Sequence, residues 1–339
     1  MTDVLHFPGS WDCAFDHLCG YGAVAIARAC GHQTRIRWTD DLESTAEITG
    51  IDWPTLASDV HKHATAHATD SWLQADGKAG AYVKALFSPR VPCLSPEQQI
   101  AWFDSRQNAI DALHQPWQDL DLAMIGSLGI PSYWNLNNKG DQNQDFGANP
   151  WEMATRNHGQ EFIGGRLRKL AAATAARTIE AVEIGLRESG PIIDEAGDNK
   201  LDSRTPTGLK PPQTTDNARA WCALWGLSLL TVVPALNSPS TASCYVRHGN
   251  VEAVYLPLMT AWWPLTRLRT ILNSTQLRSV IMSNLIGIDP GTIQARFSDQ
   301  WLMDRGVSAV VAFPISRSSN PSAPERWANF GQRILLTWN

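Results

Sequence analysis

The chain has 339 residues with 43% hydrophobic and 18% charged content, enough apolar material for a sizeable core and too much for a disordered chain. Its formal charge of -5 speaks against a free-standing nucleic-acid binder of the strongly basic kind. No run of eighteen apolar residues is present, and the start MTDVLHFPGS carries neither a basic region nor an apolar stretch, so the expected compartment is the cytoplasm and no membrane partner is expected.

In chain order, VLHF followed by PGS predicts a short strand and turn. AFDHLCGYGAVAIARACG then reads as a helix with Phe15, Leu18, Ala25 and Ile26 available to one face, ended by Gly31. QTRIRWTDD alternates as a half-buried strand does. DWPTLASDVHKHATAHA opens on Asp52 as a cap with Pro54 in the first turn, the pattern of a helix start. SPEQQIAWFDSRQNAIDALHQ reads as a helix capped by Ser95, with Ile100, Phe103, Ile110 and Leu113 as its apolar face.

NLNNKGDQNQDFGANPWEMATRN follows no apolar period and reads as a loop rich in carboxamides, which can cap turns or read base edges. A long helix is expected from about Asn157 to Ser189, with Gly164 and Gly165 as a break or a close-packing point. A stretch rich in Gly, Pro, Asp and Thr then runs towards residue 217, too long for an ordinary connector. ARAWCALWGLSLLTVVPAL passes from helix to strand, ASCYVRHG and NVEAVYLPL form a hairpin about Gly249 and Asn250, helix resumes after Pro264, and GVSAVVAFPIS is a late strand. The sum is an α+β protein of mixed helices and short antiparallel strands with no repeats.

Charge divides the chain unevenly. Residues 1–130 hold 8 Lys and Arg against 16 Asp and Glu, whereas the rest hold 20 against 17. We therefore expect an acidic N-terminal part, 1–134, and a mildly basic part, 135–339, with long polar loops at 135–156 and 189–217. No acid occurs between Glu252 and Asp289, an interval that contains Arg267, Arg269 and Arg278. The 15 Trp are assigned first to core and interfaces and only then to base stacking.

No complete catalytic motif is present. The six Cys include no CxxC pair, no GxxxxGK[ST] phosphate cradle exists, IGSLG lacks the first glycine of a nucleophile elbow, and Gly20 and Gly22 echo a dinucleotide fingerprint only loosely because they fall inside a helix. His61, His63 and His67 are the candidate metal ligands, of which only His63 and His67 share a helix face, with Asp59 four residues before His63. Without HExxH, the expectation is a solvated histidine face and no bound metal. Acid pairs such as Asp119 and Asp121 are expected mostly in solvated turns.

Two polar sets are candidates for phosphate and base contacts. The first comprises Asn135, Asn137, Asn138, Lys139, Gln142 and Asn143 with Arg156, Asn157, Arg166, Arg168 and Lys169; the second is SRTPTGLK, offering Ser203, Arg204, Thr205 and Lys210.

LHFPGSWDCAFDHLCGYGAVAIA with RIRWTDD, GANPWEMATRNHGQEFIGGRL, SRTPTGL and DNARAWCALWGLS, about a third of the chain, resemble segments of CRISPR-associated proteins of type I systems, the type I-G (formerly I-U) group in particular. The resemblance implies a large-subunit-like component of an RNA-guided DNA surveillance complex. Such a subunit is not an enzyme and needs no cofactor. Its implied partners are other effector subunits, guide RNA, target double-stranded DNA and the helicase-nuclease, with sequence read mostly by guide pairing and the flanking motif read by protein. Two rivals follow from the residues themselves: a metal-dependent hydrolase or nuclease using the histidine cluster, and a purely structural protein-interaction subunit.

Overall fold

The computed structural model describes residues 4–39, 45–79, 82–88, 94–113, 116–129, 151, 162–200, 207–233, 241–287, 292–319 and 325–336. The expected α+β class is what it shows.

Strand β1 (Leu5–Phe7) leads into α1 (Ala14–Ala29), after which Gly31 takes φ of +97°. The helix was expected to be amphipathic; instead every residue from Phe15 to Ala27 except Asp16 is buried. A helix with small or apolar residues around its whole circumference is stable only in the middle of a protein, and α1 occupies that position. Strands β2 (Arg35–Trp38) and β3 (Ala46–Thr49) pair antiparallel beside β1.

Helix α2 (Trp53–Ala68) starts as its sequence requires: the Asp52 carboxylate accepts from Thr55 N at 2.9 Å and Pro54 sits in the first turn. A small hairpin, β4 (Asp76–Ala79) and β5 (Tyr82–Ala85), precedes α3 (Pro96–Asp111). Ser95 and Gln98 close a capping box at the start of α3, and the inward face is the expected one only in its second half, where Ile110 and Leu113 pack partly buried against the core. Trp102 and Arg106 are buried, whereas Ile100 and Phe103 are exposed, because the helix rests on the β4–β5 hairpin, where Gly77 leaves room for the Trp102 ring. Helix α4 (Gln118–Leu128) follows.

The expected long helix is interrupted. Ile163–Leu167 form one π turn containing Gly164 and Gly165, α5 (Arg168–Ala175) continues it, and the chain breaks before α6 (Ile179–Arg187), which Thr178 caps. The described parts of the polar stretch after α6 fold back on the next helix: buried Asp194 accepts from Gly197 N, Thr215 N and Asn217 Nδ2. Helix α7 (Asn217–Gly226) is buried throughout and passes through a short 3-10 turn into β6 (Val232–Val233).

The remainder is β7 (Thr241–Ala242), β8 (Tyr245–His248), β9 (Val251–Met259), β10 (Trp263–Pro264), α8 (Leu265–Leu272), α9 (Thr275–Ile286), α10 (Ile293–Met303), β11 (Val307–Arg317), β12 (Arg326–Ala328) and β13 (Gln332–Leu335). The hairpin about Gly249 forms as expected, pairing His248 with Val251 and Tyr245 with Val254. One antiparallel sheet runs β12-β11-β9-β8-β7-β6, with β13 also on β11; a second runs β1-β3-β2-β10. The β2–β10 pairing and the packing of α1 on α7 join residues from both sides of position 134. Fully buried Trp38, Trp151, Trp221, Trp225 and Trp263 bear out the assignment of tryptophan to the core. Among the described residues, no helix is long and apolar enough to cross a membrane.

Candidate functional site

The polar sets singled out in the sequence are only partly placed. Asn135, Asn137, Asn138, Lys139, Gln142, Asn143, Arg156, Asn157, Ser203, Arg204 and Thr205 lie outside the described residues. Arg166 is buried, with its guanidinium donating to the Trp151 carbonyl at 3.3 Å and lying over the Phe162 ring. Arg168 donates to the carbonyls of Leu73 and Ala75 and pairs with Asp76 at 2.6 Å, pinning α5 to the segment between α2 and β4. Lys210 lies over the Phe15 ring at 4.4 Å. These three are engaged inside the protein, and Lys169 is the exposed cation of the group.

The histidine face of α2 is not solvated. A helix turns 100° per residue, so His63 and His67 point the same way and His61 elsewhere. His61 Nε2 lies 3.2 Å from the Ala175 carbonyl on α5, while His63 and His67 are buried and meet Asp121 of α4. Ligand atoms of His63, His67 and Asp121 lie within 4.8 Å of one another. Asp121, expected in a solvated turn, is 4% exposed. Trp117, Trp221 and Trp225 enclose the two imidazoles with ring centroids 4.4–6.4 Å away. A cavity of about 540 Å³ adjoins the cluster, lined by His67 and Asp121 with Trp72, Trp117 and alanines.

The hydrogen bonds decide what this cluster can do. Trp221 Nε1 donates to His63 Nδ1 at 3.1 Å, so that nitrogen holds a lone pair and the imidazole proton sits on Nε2. Burial first, and the neighbouring His67 second, hold the His63 pKa well below the ordinary imidazole value. Nδ1 of His67 lies 2.7 Å from the His63 carbonyl and must donate to it; Nε2 lies 2.8 Å from Asp121 Oδ1. A metal ion needs an unprotonated nitrogen from each histidine, and His63 Nε2 has none to give while the indole occupies Nδ1. The donor set therefore does not fit a three-ligand metal centre, and no His67 nitrogen is left for proton transfer to a substrate. What the cluster does is tie α2 to α4 and α7 across a tryptophan-walled interior.

A second concavity has the opposite chemistry. Strand β8, the end of α8 and the first half of α9 enclose about 310 Å³. A second space of about 260 Å³ between α9 and α10 continues it, the two sharing Arg278 and Met282. Arg247 and His248 stand exposed on β8, Arg278 on the facing turn of α9, and Asn273, Ser274, Thr275 and Ser279 add hydroxyls and an amide. No carboxylate lines either space among the described residues.

The acid on the neighbouring strand is already committed. Glu252 stands opposite Arg247 in the β8–β9 register, but its carboxylate accepts from Tyr245 Oη, from Arg326 at 2.8 Å and from Arg317 at 2.5 Å. Burial disfavours the charged carboxylate, yet these donors prevail and its pKa is lowered. Among the described residues, Arg247 and Arg278 have no ion pair, so their positive charge faces the groove. The sequence held one trace of this site, the acid-free interval with Arg278 inside it. Arg247, His248 and Asn273 carried no signal, since only the fold of β8 against α8 and α9 collects them.

No family model and no curated protein matches the chain.

Proposed function

We propose that this chain is a non-enzymatic, cytoplasmic subunit of a type I RNA-guided DNA surveillance complex, and that it contacts nucleic acid through the second part of its sequence. The role follows the resemblance to type I-G proteins: contribution to flanking-motif and target DNA recognition, to guide-handle contacts and to helicase-nuclease recruitment. The observation that carries it is the groove between β8, α8 and α9, lined by no acid among the described residues, where Arg247, His248 and Arg278 stand with hydroxyl and amide groups. Unpaired Arg, small hydroxyls and carboxamides are the groups that bind phosphate and sugar. The acidic first part supports assembly with basic neighbouring subunits, where complementary charge guides docking. The donor geometry at His63, His67 and Asp121 favours neither hydrolase nor nuclease.

Affinity purification of the tagged chain from its native host tests the setting. Recovery of repeat-spacer RNA with backbone-forming effector subunits supports it. Partner proteins that persist through nuclease and high salt, with no RNA, favour the purely structural alternative, because phosphate contacts weaken steeply with salt.

A further inference from the structure

We infer that the groove between β8, α8 and α9 holds an unpaired nucleotide of a single strand, its phosphates on Arg247 and Arg278 and its base against the apolar floor. The inference rests on the nucleic-acid reading above and narrows it from any phosphate backbone to one form.

Three features of the groove select a single strand. The first is shape: about 310 Å³ is an open-mouthed concavity at the lower end of pockets that hold small molecules, suited to one nucleotide. A duplex keeps its base faces stacked inside a convex cylinder, so its phosphates would reach the rim and leave the floor unused. The second is the floor itself, where Ile281 is buried and Met282 half-buried beneath the cations. A polarizable thioether and an aliphatic side chain cover the flat face of a base that has no stacking partner, and paired bases offer no such face.

The third is a side-chain acceptor in the wall. Asn273 uses its amide nitrogen on the Leu229 and Arg269 carbonyls. Its amide oxygen is the remaining acceptor for a base edge or a ribose hydroxyl. The continuation of the groove through Arg278 and Met282 gives the strand a path along α9 and α10.

The test is fluorescence anisotropy with the purified full chain and four labelled probes of one sequence: single-stranded DNA, single-stranded RNA, the duplex, and a single strand with abasic sites. The inference expects the intact single strands to bind, with the duplex and the abasic strand about tenfold weaker, as loss of base contact gives. The Arg247→Ala/Arg278→Ala double variant should weaken single-strand binding, lower the salt slope by about 1.4 for two lost phosphate contacts and melt as the parent does. Preference between DNA and RNA reports whether a 2′-hydroxyl is read, and binding of either supports the inference. Equal binding of duplex and single strand, an abasic strand bound as well as the intact one, or a double variant that binds normally overturns it and leaves the chain a nucleic-acid binder by another surface. Failure to bind any probe overturns both the inference and the nucleic-acid reading beneath it.

Discussion

Gly22 of α1 and Gly226 of α7 meet where the two helices cross. A Cβ on Gly22 would stand 1.8 Å from the Cys222 carbonyl oxygen and 2.8 Å from Gly226 N, and a Cβ on Gly226 would stand 2.1 Å from the Leu18 carbonyl oxygen. Backbone therefore lies directly on backbone, and neither neighbour is a side chain that can move aside. Gly22→Ala or Gly226→Ala should destabilise by about 3 kcal/mol or more, through overpacking that only separation of the helices relieves. A denaturant melt reads this. Alanine tolerated at both positions without loss is incompatible with the crossing.

The buried link between His67 and Asp121 predicts a large cost for removing one partner alone. Asp121→Ala leaves a buried imidazole N–H without an acceptor and should lower stability by about 1–3 kcal/mol. Combining it with His67→Phe should recover part of that loss, which a double-mutant cycle reports as coupling.

Zinc provides a separate check on the same residues. Since the indole of Trp221 takes the lone pair of His63 Nδ1, chelator-treated protein should show no rise in melting temperature when zinc is added. A rise that vanishes in Asp121→Ala, with stoichiometric zinc retained by the parent, would establish a metal centre instead.

Acid sensitivity follows from two neutral histidines. Burial lowers the His17 pKa from 6.5 to about 3 and holds His63 well below 6.5. A histidine with a depressed folded pKa is protonated first in the unfolded chain, so its contribution is complete above pH 6.5 and falls as pH drops below it. Together the two should remove about 3 kcal/mol between pH 7.5 and 5.5, before carboxylates begin to titrate. Urea midpoints across that range measure the loss; His17→Gln should flatten the profile by about half.

Asp216 combines two jobs at the start of α7. It caps the helix by accepting from Ala218 N and holds the Arg177 guanidinium at 2.8 Å. Asp216→Ala should cost about 1 kcal/mol for the cap and a further 2–3 kcal/mol for the buried Arg177 charge, which keeps Glu195 as its remaining acid. Asp216→Asn should recover the cap alone, so its melting temperature should fall between those of the parent and the alanine variant.

Local signals were legible wherever short-range chemistry sets the conformation. Asp52 with Pro54 and Ser95 with Pro96 fix helix starts through side chains within three residues of the groups they satisfy. Gly249 permits the turn of the β8–β9 hairpin for the same local reason, with φ of +56°. Of the expected apolar face of α3, Ile110 and Leu113 pack on the core while Ile100 and Phe103 stay exposed, because Trp102 and Arg106 can share a helix face as well and the docking hairpin, not periodicity, selects between them.

What the sequence alone determined was the α+β class, the cap and turn positions and the uneven charge, since each depends on composition or on neighbours along the chain. The tertiary structure decided which charges are free. It buried His63, His67 and Arg166, spent Arg168 on backbone carbonyls, committed Glu252 to two arginines and set Arg247 opposite Arg278. The physical reason is that a charged side chain's function depends on the solvent and partners around it, and those come from segments far apart in sequence: Asp121 reaches His67 across 54 positions, and β8 meets α9 only once the sheet and the helices have packed.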